Sequence, residues 1–251
     1  AMTIGEWDRR DVKGVLNLPS MLNDTLSAKL SFVRLDGGGY FNNIVRGEQE
    51  GDEDYVGGGI TLLWEPSDSL EVLFSHYIDR SDTPTRPVTS LSVTQSGNAD
   101  AASIAGGQPA CLFDPASCDH PYTESDWHRD TRTTFAQPAS LDIDTTILNI
   151  AWDVSDDHRL VSITGWREFD ETAIQEFDGY EFDLFWTNRP QTNEQFSQEL
   201  RLESQWNDSF KSIFGLYLWE REYEINQQTY FTPLFFGLPP GPAFEVANGF
   251  D

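Results

Sequence analysis

The chain is short of the residues that mark several large function classes. It has two cysteines and four histidines in 251 residues. Cys111 and Cys118 lie close together in a Gly/Pro/Ser/Ala-rich stretch with only His120 nearby, and His76, His128 and His158 are scattered. No second Cys or His pair stands at finger spacing, so no metal site is expected. The two cysteines fit a short disulfide-closed loop in an oxidising compartment, against the alternative of two free thiols. Basic residues are also scarce: 16 Lys and Arg against 42 Asp and Glu leave a formal charge of −26. That field repels phosphate backbones and excludes nucleic acid as a partner. Acidity alone is more often a solvated surface than a set of cation-attracting loops, and no dense carboxylate motif favours the latter.

Long apolar runs are missing as well. No stretch approaches the roughly 20 apolar residues of a spanning helix. Ala1 to Arg10 has no apolar segment between a basic start and a small-residue cleavage site, so no signal peptide is visible. Catalytic signatures are absent too. No Gly-x-Ser-x-Gly elbow occurs, and neither Gly37–Gly39 nor Gly57–Gly59 is followed by the Lys-Ser/Thr and helix of a phosphate loop. The first glycine run marks a turn. The second marks a strand with small residues, which another backbone or a plug segment can approach closely. Carboxylates are too abundant for any one pair to single out a glycosidase. The expectation is a non-enzyme with no catalytic residue and no cofactor.

Aromatic residues are plentiful, at 13% of the chain, which argues for ordered structure despite a hydrophobic content of 38%. Apolar and polar residues alternate at Leu26–Phe32, Val56–Trp64, Leu70–Phe74 and Phe196–Glu203. A period of two means strands whose faces meet different solvents. Further strands are expected over Val12–Leu18, Leu141–Trp152, Leu160–Phe169 and Phe210–Tyr223. In the Leu141 strand, Asp142 and Asp144 share a face with Leu148, Ile150 and Trp152. That fits either a strand leaving a membrane at one end or an ordinary sandwich strand.

The connections alternate in length. Pro19–Thr25, Glu65–Ser69, Asp153–His158 and Asn207–Ser209 are short. Asp36–Asp54, Arg80–Ser140, Asp170–Asn193 and the stretch from Asn226 onward are long. This order places every short turn on one rim and every long loop on the other, as in an outer-membrane barrel. The short turns share an Asn/Asp/Ser chemistry that bonds its own backbone and tolerates left-handed geometry. A loop as long as Ser81–Ala139 is unusual inside a compact soluble domain.

Phe196-Ser-Gln-Glu-Leu-Arg-Leu-Glu-Ser204, a turn, and Phe210-Lys-Ser-Ile-Phe-Gly-Leu-Tyr-Leu218 resemble a barrel hairpin of TonB-dependent outer-membrane receptors. Asp11-Val-Lys-Gly-Val-Leu-Asn-Leu-Pro19 resembles the early barrel strand that follows the plug in that family. Leu160–Arg167 and Ile60–Pro66 are similar in kind, so the resemblance runs from about Arg10 to about Glu224. It implies an all-β, antiparallel up-and-down transmembrane barrel. Residues 1–251 would form an N-terminal arc of about eight strands, without plug, TonB box or C-terminal strands, stopping inside a Pro-rich loop at Asn248–Asp251. The implied parent imports a scarce nutrient such as a ferric siderophore. Its partners would be outer-membrane lipid and lipopolysaccharide, the TonB complex through the plug, and a small-molecule ligand. The open edges of such an arc make transport by this piece alone unexpected.

Tyr40, Phe41, Trp127, His128 and Arg129 fall in the expected outer loops and could stack on a ligand, although packing within their own loops is the simpler account of aromatics there. Tyr55, Trp64, Tyr77, Trp152, Trp166 and Trp219 are expected as girdle residues near strand ends. Two rivals remain, a secreted soluble β-sandwich that binds carbohydrate and a plug-free porin. The sandwich predicts that Leu26, Leu30, Phe32, Phe196, Leu200 and Leu202 are packed between two sheets.

Overall fold

The computed structural model describes residues 1–88, 129–177, 179, 185–233 and 241–250. Eight long strands correspond to the eight expected from alternation. They are β2 (Arg10–Asn17), β3 (Leu26–Gly37), β6 (Glu53–Ser67), β7 (Leu70–Ser81), β9 (Ala139–Ser155), β10 (His158–Glu176), β12 (Gln191–Asn207) and β13 (Phe210–Phe231). Sequence neighbours pair antiparallel in one up-and-down sheet. Three shorter strands complete it: β1 (Met2–Ile4), β11 (Phe185–Asn188) and β14 (Phe244–Phe250). A second sheet of β4 (Phe41–Asn43), β5 (Glu48–Glu50) and β8 (Asp130–Thr131) sits among the long loops.

Three of these short strands depart from expectation. The stretch from Asn226 onward is not a loop: β13 runs to Phe231, and β14 returns against Ile225–Phe231. Polar Asn226-Gln-Gln-Thr229 and the Pro/Gly-rich segment after it hide the period there. β1 pairs with the start of β2, so the Asp11–Pro19 strand has a neighbour on both sides. β11 and β12 share the slot between β10 and β13, interrupted at Arg189-Pro190, where proline has no N–H to donate.

The four short turns lie at one rim. Leu22, Asn23 and Asp24 all have positive φ, and Thr25 Oγ1 donates to the Leu22 carbonyl at 2.8 Å. At Asn207 the side chain accepts from the Ser209 N–H at 2.9 Å. The other three turns have no left-handed residue. Each instead has a register shift beside it, at Trp64/Ser67, His158/Arg159 and Gln205/Asn207. A bulge lets an ordinary turn follow the strand twist without positive φ.

The registers define two faces. Leu30, Ile60, His76, Thr146, Trp166, Phe196 and Glu220 form one row across the sheet. On this face, toward the short turns, the strands carry Leu26–Ala28–Leu30–Phe32, Leu70–Val72–Phe74, Trp152–Ile150–Leu148, Leu202–Leu200 and Phe214–Leu216–Leu218. Toward the long loops the same face turns charged, at Arg34, Asp54, Arg80, Asp144, Glu168, Glu194 and Glu222. From Leu70 to Ile78 the band spans about 27 Å along the strand at roughly 3.4 Å per residue. A tilt of about 40° reduces this to roughly 20 Å of thickness, near the height of an outer-membrane apolar band. Asp142 and Asp144 lie above it, paired with Arg80; the Leu141 strand is one that leaves the band at one end.

The band is not covered by protein. Leu30, Phe32, Leu200, Leu202 and Leu216 are 38%, 49%, 42%, 37% and 76% exposed, and Leu26 and Phe196 are half-buried. Among the described residues the buried apolar side chains are Ala28, Ala151, Val161 and Ala173. No sandwich core exists in these residues, and an apolar face of this extent belongs in lipid rather than water. The polar side chains within the band satisfy one another. Thr164 Oγ1 donates to Gln198 Oε1 at 2.7 Å, and Gln198 Nε2 donates to Ser162 Oγ at 3.0 Å.

Trp64, Trp152 and Trp166 stand on the apolar face, the first two at its short-turn margin and Trp166 just below Glu168. Trp206, one of the aromatics not expected there, joins the short-turn margin, its ring 5.2 Å from that of His158. Tyr55, Tyr77 and Trp219 are not girdle residues, because their registers place them on the opposite face. Two of them explain Gly57–Gly59. A Cβ on Gly59 would meet the Tyr77 ring at 2.4 Å, and one on Gly57 would meet the Tyr55 hydroxyl oxygen at 2.5 Å. Neighbouring tyrosines of the same wall occupy most of the space these glycines leave, and backbone also comes close, the His76 carbonyl at 2.9 Å from a Cβ on Gly59 and the Ser31 carbonyl at 3.3 Å from one on Gly58.

Candidate functional site

The rim of long loops gathers the residues with the chemistry to meet a ligand. The β1–β2 turn projects Trp7 at its tip, with Trp7 and Asp8 at φ 54° and 55°. A tryptophan in the left-handed region is costly and persists only when its surroundings hold it. Here the Gly38 N–H donates to the Trp7 carbonyl at 2.7 Å. A Cβ on Gly38 would stand 3.0 Å from that oxygen, so glycine permits the approach. The ring of Tyr40 lies 6.0 Å from Trp7 and 4.4 Å from Phe41. The Arg129 guanidinium sits 4.9 Å above the Trp7 ring, within cation–π range. Arg9, at the base of the same turn, bonds Asp11 at 3.1 Å and also bonds Glu53. The bond to Asp11, followed by that to Glu53, raises the Arg9 guanidinium above its ordinary range.

Beneath these aromatics a polar hub ties two distant segments together. Asn43, Thr131 and Thr133 are fully buried. Asn43 Nδ2 donates to Glu50 Oε1 at 2.8 Å and to the Thr133 carbonyl at 2.8 Å. Asn43 Oδ1 accepts from the N–H groups of Val45 and Arg46. The Glu50 carboxylate also accepts from Arg46 at 2.9 Å, Thr131 at 2.6 Å and Thr133 at 3.0 Å. A part-buried carboxylate with this many donors has its hydrogen-bonding capacity met. It fixes residues 41–50 to residues 130–133, and so fixes where the aromatic tip points.

Tyr40, Phe41 and Arg129 are therefore brought into one cluster, joined by Trp7. Trp127, His128, Cys111 and Cys118 lie outside the described residues. Trp7 and the Asn43–Glu50 hub escaped the sequence reading. An aromatic at a sharp Gly5–Arg9 turn was the available signal for Trp7, whereas the hub joins residues nearly ninety apart and left none.

The opposite face of the sheet carries Lys29, Thr61, Ser75, Asn149, Glu199, Arg201 and Tyr217 beside a minority of aliphatic side chains such as Leu73 and Ile147, and is the more polar wall beneath this rim. A sheet apolar outside, polar inside and looped on one rim has close structural parallels. The chain superposes on the siderophore receptor PiuA from Acinetobacter baumannii with a TM-score of 0.65 over 99% of its length, at 8% identity. The fold is that of a siderophore-receptor barrel. The ferric yersiniabactin uptake receptor FyuA from Yersinia pestis gives 0.58 over 91% of the chain at 16% identity. The ferric-catecholate import receptor Fiu from E. coli K12, in its open form, gives 0.55 over 96% at 14%. The chain spans only about a third of these receptors, 37%, 30% and 35% of their respective lengths. At such identities the likeness is one of fold, and it bears out the receptor-barrel resemblance read from the hairpins at that level. No family model matches the chain, and no curated protein is similar to it in sequence.

Proposed function

We propose that residues 1–251 are an N-terminal arc of the barrel of a TonB-dependent outer-membrane receptor that imports a scarce nutrient, with a ferric siderophore or similar iron complex as cargo. The observation that carries this reading is the exposed apolar band on one face, set below a rim where every long loop gathers. The fold likeness to siderophore receptors supports it. In this reading the band meets outer-membrane lipid, and the charged zone above it lies level with the lipopolysaccharide head groups. Tyr40, Phe41 and Arg129, with Trp127 and His128 from the same loop, contact the ligand from outside. A plug elsewhere in the protein engages the TonB complex. The similar structures are transport receptors, which agrees with a role in uptake rather than catalysis.

The test is uptake of radiolabelled iron chelates by iron-starved cells carrying or lacking the gene, each with and without TonB. The reading predicts that at least one chelate is taken up only when both are present. Uptake that needs the gene but not TonB would identify a porin. A protein recovered from the soluble periplasmic fraction would contradict the barrel.

A further inference from the structure

Among the described residues, the arginines of the long strands pair with carboxylates with two exceptions, and those two coincide in space. Arg34 pairs with Asp36 and Asp54, Arg80 with Asp144, Arg159 with Asp153, and Arg201 with Glu199 and Glu203. Two arginines, Arg167 and Arg221, have no carboxylate partner among the described residues. In a chain of net charge −26 that is unexpected by proportion alone. The registers place both in one row of the inner wall, Arg167 opposite Gln195 and Gln195 opposite Arg221. Two strand spacings separate them, about 10 Å, a distance their side chains can close over Gln195.

The surroundings hold these groups ready. Arg221 donates through Nε to Asn193 Oδ1, and its guanidinium lies 4.8 Å over the Tyr223 ring, which leaves its terminal nitrogens unengaged. Gly165, one step below Arg167, adds no side chain; a Cβ there would meet Ser197 Oγ at 2.8 Å. The carboxylates that β10, β12 and β13 carry on this wall are committed elsewhere: Glu199 and Glu203 to Arg201, and Glu171 to Gln191 and Arg189. Glu168, Glu194 and Glu222 belong to the outer face.

We infer that Arg167 and Arg221, with the Gln195 amide between them, form an inner-wall binding site for an oxyanion, a carboxylate or phosphate borne by a small-molecule ligand. Two planar guanidinium forks on one wall recognise such a group bidentately and tolerate its desolvation better than lysine would. The inference rests on the barrel reading, which makes this face the lumen. It sharpens the ligand class from any scarce nutrient to one carrying negative charge.

The test is calorimetric titration of the detergent-purified full-length protein with citrate, with pyrophosphate, and with uncharged sucrose. The expected result is binding of at least one oxyanion and none of sucrose, weakening as salt rises. Arg167→Gln and Arg221→Gln should each weaken it by on the order of tenfold to a hundredfold. The Lys replacements should fall between, and Arg201→Gln should leave it unchanged. Citrate against pyrophosphate decides between carboxylate and phosphate. Absence of oxyanion binding, as when a carboxylate elsewhere in the protein already neutralises the pair, would overturn the inference. So would binding indifferent to both Gln variants. Fractionation of the same cells separates the two readings. A protein absent from the outer membrane sinks the barrel reading and this site with it, whereas a protein inserted there without Arg-dependent binding sinks the site alone.

Discussion

Gly59 shows how much of this wall depends on single atoms. It faces Tyr77 across the β6–β7 ladder, and an added Cβ meets the ring at 2.4 Å and the His76 carbonyl at 2.9 Å. The backbone carbonyl cannot swing aside as a side chain can. Gly59→Ala should therefore cost about 1–3 kcal/mol, the usual range for overpacking, read as a shift in the urea midpoint of the lipid-reconstituted protein. Gly14→Ala, with nothing within 4 Å of its Cβ, should stay within about 0.5 kcal/mol. At the rim, Glu50→Ala strips the partner from Thr131 and one partner each from Thr133 and Asn43. Buried polar groups left so cost about 1–3 kcal/mol each. Hydrogen exchange should then quicken in residues 41–50 and 130–133 together and leave β9 to β13 unchanged. Exchange confined to one of the two segments would mean that the hub does not join them.

At the level of elements, adjacent residues of a strand meet different solvents. Leu30 and Ser31 make the comparison on one strand. Leu30→Arg places a guanidinium in the apolar band and should destabilise by about 2–4 kcal/mol, whereas Ser31→Arg faces the polar wall and should cost less than about 1 kcal/mol. Equal costs would contradict the assignment of faces. Strands of this kind were legible in the sequence wherever one face was mostly apolar, as at Leu26–Phe32 and Phe196–Glu203. They were not legible where both faces are polar, which is why the end of β13 read as loop. Orientation was also partly hidden. Tyr77 and Trp219 carry apolar bodies compatible with either face, and only the register to Gly59 and Ser197 assigns them inward. The Trp7–Tyr40–Arg129 cluster depends on loop closure across many residues, and the Arg167–Arg221 row on the pairing of three strands. Neither leaves a local pattern.

For the molecule as a whole, the uneven loop lengths and the uneven faces express the same asymmetry. Short turns and apolar residues occupy one end of the outer face; long loops, charge and the aromatic tip occupy the other. The short hairpins need little sequence, so their Asn/Asp/Ser chemistry was readable, while the long loops make a second small sheet whose partners sit far apart in the chain. The central claim is that the even-numbered residues of β12 and β13 within the band, Phe196 to Leu202 and Phe214 to Leu218, face lipid. It is tested most directly by nitroxide scanning of residues 213–218 in outer-membrane vesicles, in a Cys111→Ser, Cys118→Ser background. Collision with oxygen should peak at 214, 216 and 218, and collision with a water-soluble nickel chelate should peak at 213, 215 and 217. Uniform accessibility to the chelate along all six positions would contradict a membrane-spanning strand.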